Sequence, residues 1–449
     1  MASKARKAGT YTARRERLAQ QMNAVTGTVA LRKNNSNLFR DRDRASKLRL
    51  DVHDFNHVLQ VDPQSGWADA EGMTSYEALV LATLACGTMP AVVPQLKTIT
   101  LGGAVAGVGI EATSFRQGLV HHGVLEMDIL AGDGKVYLCT PHNEHRDLFF
   151  GFPNSYGTLG YALRVRTRTI PVKKFVRIRH SRFRDPSEYF RSLQGLCDSD
   201  VDFVDGVIFG PEEGYLITGT FVDSAPFVSD YTFEHIYYRS IREKDTDYLN
   251  AHDFLWRWDT DWFWCSKNFG VQNSLVRRLA GKARLNSRTY TRVMRWNNRW
   301  KFTQRLNALF GVRREPVIQD VDIPITRAAE FLAFFEREIG ILPVWICPIR
   351  SPDTRVFPLY PLKPATTYVN FGFWDAVKSK KAQLPGHFNR LIERKVAELG
   401  GIKSLYSDSY YSRPEFDALY GARAYRELKA RYDPQNRLHD LYDKCVLRK

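Results

Sequence analysis

The chain predicts a mixed α+β fold spread over more than one domain, and three observations predict it. Short β-branched runs fill its first third, two extended runs around a Gly/Asp turn stand at 124–139, and from about residue 174 to 400 strand patterns alternate with helical ones. At about 100–200 residues per domain, 449 residues correspond to two or three domains. The hydrophobic share of 44% is ordinary for a chain that buries real cores, so disorder is excluded for most of it.

Residues 1 to about 25 read as a basic helical arm. From Thr26 onward the runs TVALR, SKLRLDVHD, HVLQVD and AVVPQLKTITL read as strands. Tyr76–Leu84 has good helix propensity and follows Thr74 and Ser75, either of which suits an N-cap. Val124–Leu130, the turn Ala131-Gly-Asp-Gly134 and Lys135–Cys139 then form an antiparallel hairpin. A glycine cluster from Gly151 through Gly157 to Gly160 leads into the alternating strand Tyr161–Ile170.

At Pro171-Val-Lys-Lys174 the composition changes, which marks a boundary between a domain at 26–173 and a second α+β domain at 174–400. In the second domain VDGVIFG, GYLITGTFV, LPVWICPI and TTYVNFGFW read as strands, AAEFLAFFEREIG and FNRLIERKVAELG as helices. Residues 401–449 form a C-terminal segment with an extended run up to Tyr411, a helix around Tyr425–Arg431 and a stop at Asp433-Pro434.

Several classes are excluded or disfavoured. The longest apolar stretch, Ala78 to Cys86, falls well short of the roughly 20 residues a membrane-spanning helix needs. The basic N-terminus has no apolar core followed by a small-residue cleavage site, which argues against secretion and for a cytoplasmic address. Six scattered cysteines without a C-x-x-C pair read as reduced core residues, not as disulfides or structural zinc. His142/His145 and His53/His57 lack a third ligand nearby, so no metal is expected.

The net charge of +16 is concentrated. From Val271 to Arg314 there are twelve basic residues and no acidic one. Arg288, Arg292, Arg295 and Arg299 would line one side of a helix, with Val293, Trp296 and Trp300 on another. Upstream lies the aromatic run Phe254–Trp264. Three readings stand: peripheral contact of residues 277–314 and the aromatic run with an anionic membrane, a solvated helix over an ordinary aromatic core, or phosphate attraction in a nucleic acid. No base-reading signature accompanies the charge, so nucleic acid is not the expected partner.

Gly107-x-Gly109-x-x-Ala112 formally matches a dinucleotide fingerprint, with Asp128 about 20 residues on as its ribose acid. The context is wrong, because more glycines precede it, Gly118 and Gly123 interrupt the stretch where a long helix should run, and the next hairpin is antiparallel. Two other readings remain: a glycine-rich extended loop whose backbone presses on the pyrophosphate and ring of a bulky cofactor, or a turn with no ligand.

The blocks TLGGAVAGVGIEATSFRQGLVHH, the AGDG hairpin and DLFFGFPNSYGTLGYALRVRTRTIPVKKFV resemble the FAD-binding domain of the vanillyl-alcohol-oxidase (PCMH-type) flavoproteins. LPVWICPIR, YVNFGFW, LYSDSYYSRPEFDALYG and LYDKC are similar to the C-terminal half of the sterol side-chain reductases in that superfamily, the 24-dehydrocholesterol reductase group and its bacterial relatives. The likeness runs from about residue 50 to the end. It implies a two-domain PCMH-type fold with an α+β substrate (cap) domain, and a C-terminal segment returning to the flavin site. The membrane helix of the sterol reductases has no counterpart here, so membrane contact would be peripheral, at the inner face. The loop at 31–37 has neither His nor Cys, so FAD should be bound non-covalently.

By that resemblance Thr100, Gly102, Gly103, Gly107, Gly109, Glu111, Ser114 and His122 line the flavin, Gly157, Thr158 and Gly160 close the other side, and Asn35 and Ser36 form the pyrophosphate loop. Hydride transfer at the flavin also needs a proton donor at the second carbon. If 404–410 is a strand, Ser404, Tyr406, Asp408 and Tyr410 share one face, a proton-delivery wall or a tyrosine-rich packing surface. Catalytic roles fall on Tyr406, Asp408, Tyr410 and His122. Trp345 and Phe373 shape an apolar slot or belong to the core.

The expected function is FAD-dependent reduction of a carbon–carbon double bond in a lipid, a sterol-like side chain or a methylene-branched fatty acyl chain, with NADPH as donor. The alternatives are an FAD-dependent oxidase or dehydrogenase of an alcohol or aldonolactone, and a non-enzymatic membrane-surface protein.

Overall fold

The computed structural model describes residues 9–33, 38–40, 48–300, 313–379 and 383–449. The helical arm is present as α1 (Tyr11–Asn23), capped by the Thr10 side chain. It packs Leu18 and Met22 against a small parallel pair, β1 (Val29–Arg32) and β2 (Leu48–Asp51).

The first sheet holds β3 (Val58–Asp62), β4 (Trp67–Glu71), β8 (Tyr161–Pro171), β6 (Val124–Leu130) and β7 (Val136–Cys139) in that spatial order, with β5 (Thr88–Pro90) pairing β8. Every pairing in it is antiparallel. The β6–β7 hairpin closes as its turn residues predict. α2 (Tyr76–Leu84) begins at Ser75, whose hydroxyl accepts from the Ala78 N–H.

The glycine stretch differs from expectation. AVVPQLKTITL forms no strand but a loop, and the residues after it form a short helix, α3 (Leu101–Gly107), in place of an extended loop. A Rossmann unit is excluded: the fingerprint begins on the last residue of a helix and not after a strand, and Asp128 accepts hydrogen bonds from Tyr11 and Arg164.

The second sheet is antiparallel throughout, in the order β12 (Thr246–Asn250), β9 (Phe175–Phe183), β11 (Glu213–Val222), β10 (Phe203–Gly210), β14 (Val344–Arg350), β15 (Thr367–Ser379), β13 (Arg313–Pro324) and β16 (Ile402–Lys403). The side-chain period of two divides it cleanly. Val204, Leu216, Val317, Val321, Ile346 and Phe371 face the helices Pro186–Leu196, Ala328–Glu338 and His387–Glu398. Asp205, Trp345 and Trp374 face the other way, toward the aromatic segment 254–264 and the first sheet. Phe373 packs on Phe335 under the helices, so it is core and not a slot residue.

Two further expectations are corrected. Trp256, Trp258, Trp262, Phe263 and Trp264 are all buried, so the aromatic run is a core layer and lays no rings at a surface. The run 404–410 is not a strand: β16 ends at Lys403 and a turn follows, which removes the shared face argued for Ser404, Tyr406, Asp408 and Tyr410. The basic helix is present as Ser287–Trp300, while Lys301 and Arg305 lie outside the described residues. Among the described residues no helix is long and apolar enough to cross a membrane, and no group of three His, Cys, Asp or Glu side chains is placed to hold a metal.

Candidate active site

A cleft of about 490 Å³ runs between α3, the start of β8, the aromatic segment and one face of β13–β15, a volume in the range of small-molecule and cofactor sites. Close backbone packing explains Gly102. The Gly102 N–H donates to Gly72 O at 2.9 Å, and the Gly72 N–H donates to Leu163 O at 2.8 Å, so α3 lies directly on the sheet. A Cβ on Gly102 would stand 2.9 Å from Gly72 O and 3.1 Å from Ala162 O, both backbone atoms.

With its Cβ side pressed on the sheet, α3 turns bare backbone toward the cleft. Gly102→Ala is therefore expected to cost about 1–3 kcal/mol, read as a lower melting temperature. Gly160 closes the other side at φ +149°, where a Cβ would meet Leu130 O at 2.7 Å.

Thr100 caps α3 through its hydroxyl and lines the cleft with Gly102, Gly103, Gly107, Gly109, Glu111, Gly157 and Gly160. Four cationic side chains, Lys33, Arg49, Lys444 and Lys449, contribute to the same lining. Asn35 and Ser36 lie outside the described residues, but Lys33 and Leu38, which flank them in sequence, both border the cleft.

Five other residues singled out by sequence do not line it. Ser114 is buried and accepts from the Glu111 N–H at 3.1 Å, fixing the turn beneath the cleft. Thr158 donates to Ser155 O at 2.7 Å and is fully buried. His122 stacks on His121 and meets Phe357 edge to face, and its Nδ1 accepts the Leu119 N–H at 3.1 Å. Burial, helped by the Arg355 charge, lowers its pKa to about 4, so it is neutral at ordinary pH. Asp408 and Tyr410 turn instead to Arg448.

Tyr406 does line the cleft, and it has a partner that sequence reading missed. Its hydroxyl accepts from Trp374 Nε1 at 3.0 Å and hydrogen-bonds Asp320, another lining residue. β16 pairs β13 at Val321 and Lys403, and the Ser404 N–H donates to Asp320 O at 3.0 Å, which brings Tyr406 onto Asp320. Gly372, directly opposite Asp320 across β13 and β15, leaves room for the carboxyl, since a Cβ there would stand 2.8 Å from Asp320 Oδ1.

Among the described residues no cation pairs with Asp320. Burial, and then the charge of Asp322, push its pKa up to about 7. Asp322, on the same face of β13, accepts from Asn370 and Tyr360 at 2.7 Å each. The available signal is the spacing Asp320-Val-Asp322, two acids on one face of β13.

Beside Glu111 lies a second buried group. Arg257 donates to Glu111 Oε1 at 3.2 Å and to Asp205 Oδ2 at 2.7 Å, and Asp205 also accepts the indole N–H of Trp345 at 3.2 Å. Burial and the nearby Asp205 raise the Glu111 pKa toward 7, against the pull of Arg257. This cluster ties the cleft floor to the Trp345 wall. With Trp262, Phe263, Trp374, Phe39 and Leu38, Trp345 makes an apolar, largely aromatic region of the lining.

A family model described as an FAD binding domain matches residues 16–140. The Delta(24)-sterol reductase of Homo sapiens is 27% identical over 410 residues, covering 86% of this chain and 75% of that protein. That of Rattus norvegicus is 26% identical over 409 residues, with the same coverage of 86% and 75%. Cytokinin dehydrogenase 9 of Oryza sativa subsp. japonica is 25% identical over 195 residues, 42% of this chain and 37% of its own length.

Proposed function

We propose that this chain, an FAD-dependent oxidoreductase built on a PCMH-type FAD-binding domain, reduces a carbon–carbon double bond of an apolar lipid. The observation that carries the reading is the Asp320–Tyr406 pair in a cleft that has glycine backbone on one side and a largely aromatic region beside the pair. A sterol-like side chain or a methylene-branched acyl chain suits such a wall, and the sterol reductase relatives support that class.

The cleft fits FAD. Backbone at Gly102, Gly103, Gly107 and Gly109, with Thr100, Glu111, Gly157 and Gly160, would hold it, and Lys33, Arg49, Lys444 and Lys449 complement a diphosphate. When bound, the flavin supplies hydride chemistry. The protein's own part is to exclude water with Trp345, Trp374 and Phe263, and to deliver a proton to the alkene carbon that does not take the hydride.

Tyr406 is the donor: its O–H bond breaks as the new C–H bond forms. Asp320, in the fraction that its raised pKa of about 7 keeps protonated, replaces that proton and is left as carboxylate until it takes one from water. NADPH is the proposed electron source. Anaerobic mixing of FAD-loaded protein with NADPH is expected to bleach the yellow colour. Bleaching by an alcohol or aldonolactone, with none by NADPH, would contradict the reading and favour an oxidase or dehydrogenase of such a substrate.

A further inference from the structure

We infer that the helix Ser274–Ala280 and the basic stretch that follows it form a docking surface for an anionic lipid bilayer. The buried aromatic run cannot serve that purpose, but a different set of apolar side chains does. Leu279 is 84% exposed and Leu275 69%, among the most exposed large hydrophobics described, and Val276 and Val293 are also exposed.

The helix is oriented by its one buried cation. Arg277 is 2% exposed, pairs with Asp261 at 2.7 and 3.0 Å, and donates to Phe233 O, which pins that face inward. Positions two residues away on a helix lie nearly opposite, so Leu275 and Leu279, on either side of Arg277, point outward together. Exposed cations come directly after: Arg278, Lys282, Arg284 and Arg292. Arg278 pairs with Glu234 and Arg288 with Glu77, both exposed or half-exposed contacts that a charged surface readily competes for.

The combination selects the occupant. A bilayer interface receives leucine side chains below the headgroups and guanidinium groups on the phosphates. A nucleic acid uses the cations but leaves two outward leucines in water. The basic stretch also packs on the cleft wall from behind. Tyr290, on the helix Ser287–Trp300, stacks on Trp262 with ring centroids 6.4 Å apart, and Trp262 lines the cleft and stacks on Phe39. Docking there would put the membrane against the outside of the aromatic wall. The inference does not depend on which reaction the cleft performs.

The test is sedimentation of the full-length, FAD-loaded protein with vesicles of phosphatidylcholine alone and of an equal mixture with phosphatidylglycerol. Wild type is expected to sediment with the mixed vesicles at low salt, less as salt rises, and not with the neutral ones. Leu275→Ser with Leu279→Ser should lower binding about tenfold with an unchanged flavin spectrum. Lys282→Gln with Arg284→Gln should remove much of the salt-sensitive part. Wild type remaining in the supernatant would overturn the inference. So would a leucine variant that binds as well as wild type, or an oligonucleotide that displaces the protein from vesicles and binds both forms equally.

Discussion

Asp320→Asn is expected to lower alkene turnover by about a hundredfold or more at neutral pH, the usual size of a lost proton-transfer step, while NADPH still bleaches the flavin at the wild-type rate. Asparagine keeps the shape beside Gly372 and Trp374 but carries no acidic proton. In wild type the carboxyl, raised to about 7 by burial and by Asp322, is protonated below that pH and ionised above it. Turnover should therefore fall as pH rises through about 7, and this alkaline limb should be absent in the variant. Tyr406→Phe should show the same loss.

Stability moves the other way. A carboxyl whose folded pKa is raised contributes stability that is present below its unfolded value, near 3.8, and lost as pH rises through about 7. Removing that charge should make Asp320→Asn more stable than wild type at pH 8, by roughly 1–2 kcal/mol because the carboxyl faces the cleft, with little difference at low pH. Thermal melts at the two pH values check the sign. A more stable but nearly inactive protein is the signature of an acid kept buried for chemistry.

Arg257→Met is expected to cost about 3–5 kcal/mol at neutral pH, because it leaves Glu111 and Asp205 buried without their shared cation. All three side chains are at most 4% exposed, so water cannot take over the role of Arg257. The deficit should grow with pH. Without Arg257 to oppose burial and Asp205, Glu111 holds its proton to a higher pH, and the variant loses more stability as that proton is forced off. Adding Glu111→Gln should restore part of the loss. Urea unfolding at pH 5 and pH 8 measures both effects.

The sequence revealed what local periodicity controls. The β6–β7 hairpin, the Ser75 cap and the alternation in β8, β10, β11, β14 and β15 arise from residues within a few positions of one another. α3 was hidden because glycine disfavours helix. Gly102 is there for Gly72 and Ala162, whose positions no local pattern contains. The run 91–101 looked like a strand by its Val, Ile and Thr content, but it contributes just one isolated bridge, Thr100 to Ser75.

The site divided along the same line. The glycines are picked out by motif resemblance and Tyr406 by a strand that does not form, whereas Asp320 carries no local mark, since it meets Tyr406 only through the β13–β16 pairing 86 residues away in sequence. Arg257 reaches Glu111 across 146 residues. The tryptophan run carried no mark of its side chains' destination, because a lipid-facing ring and a core ring are the same residue in sequence.

The most direct test of the account is a single anaerobic turnover. FAD-loaded protein, fully reduced beforehand, is mixed with an apolar lipid alkene, and flavin absorbance and lipid mass are followed together. The yellow colour should return with one saturated product per flavin, at a rate that falls above about pH 7. Flavin that stays reduced before sterol side-chain and methylene-branched alkenes alike would contradict it.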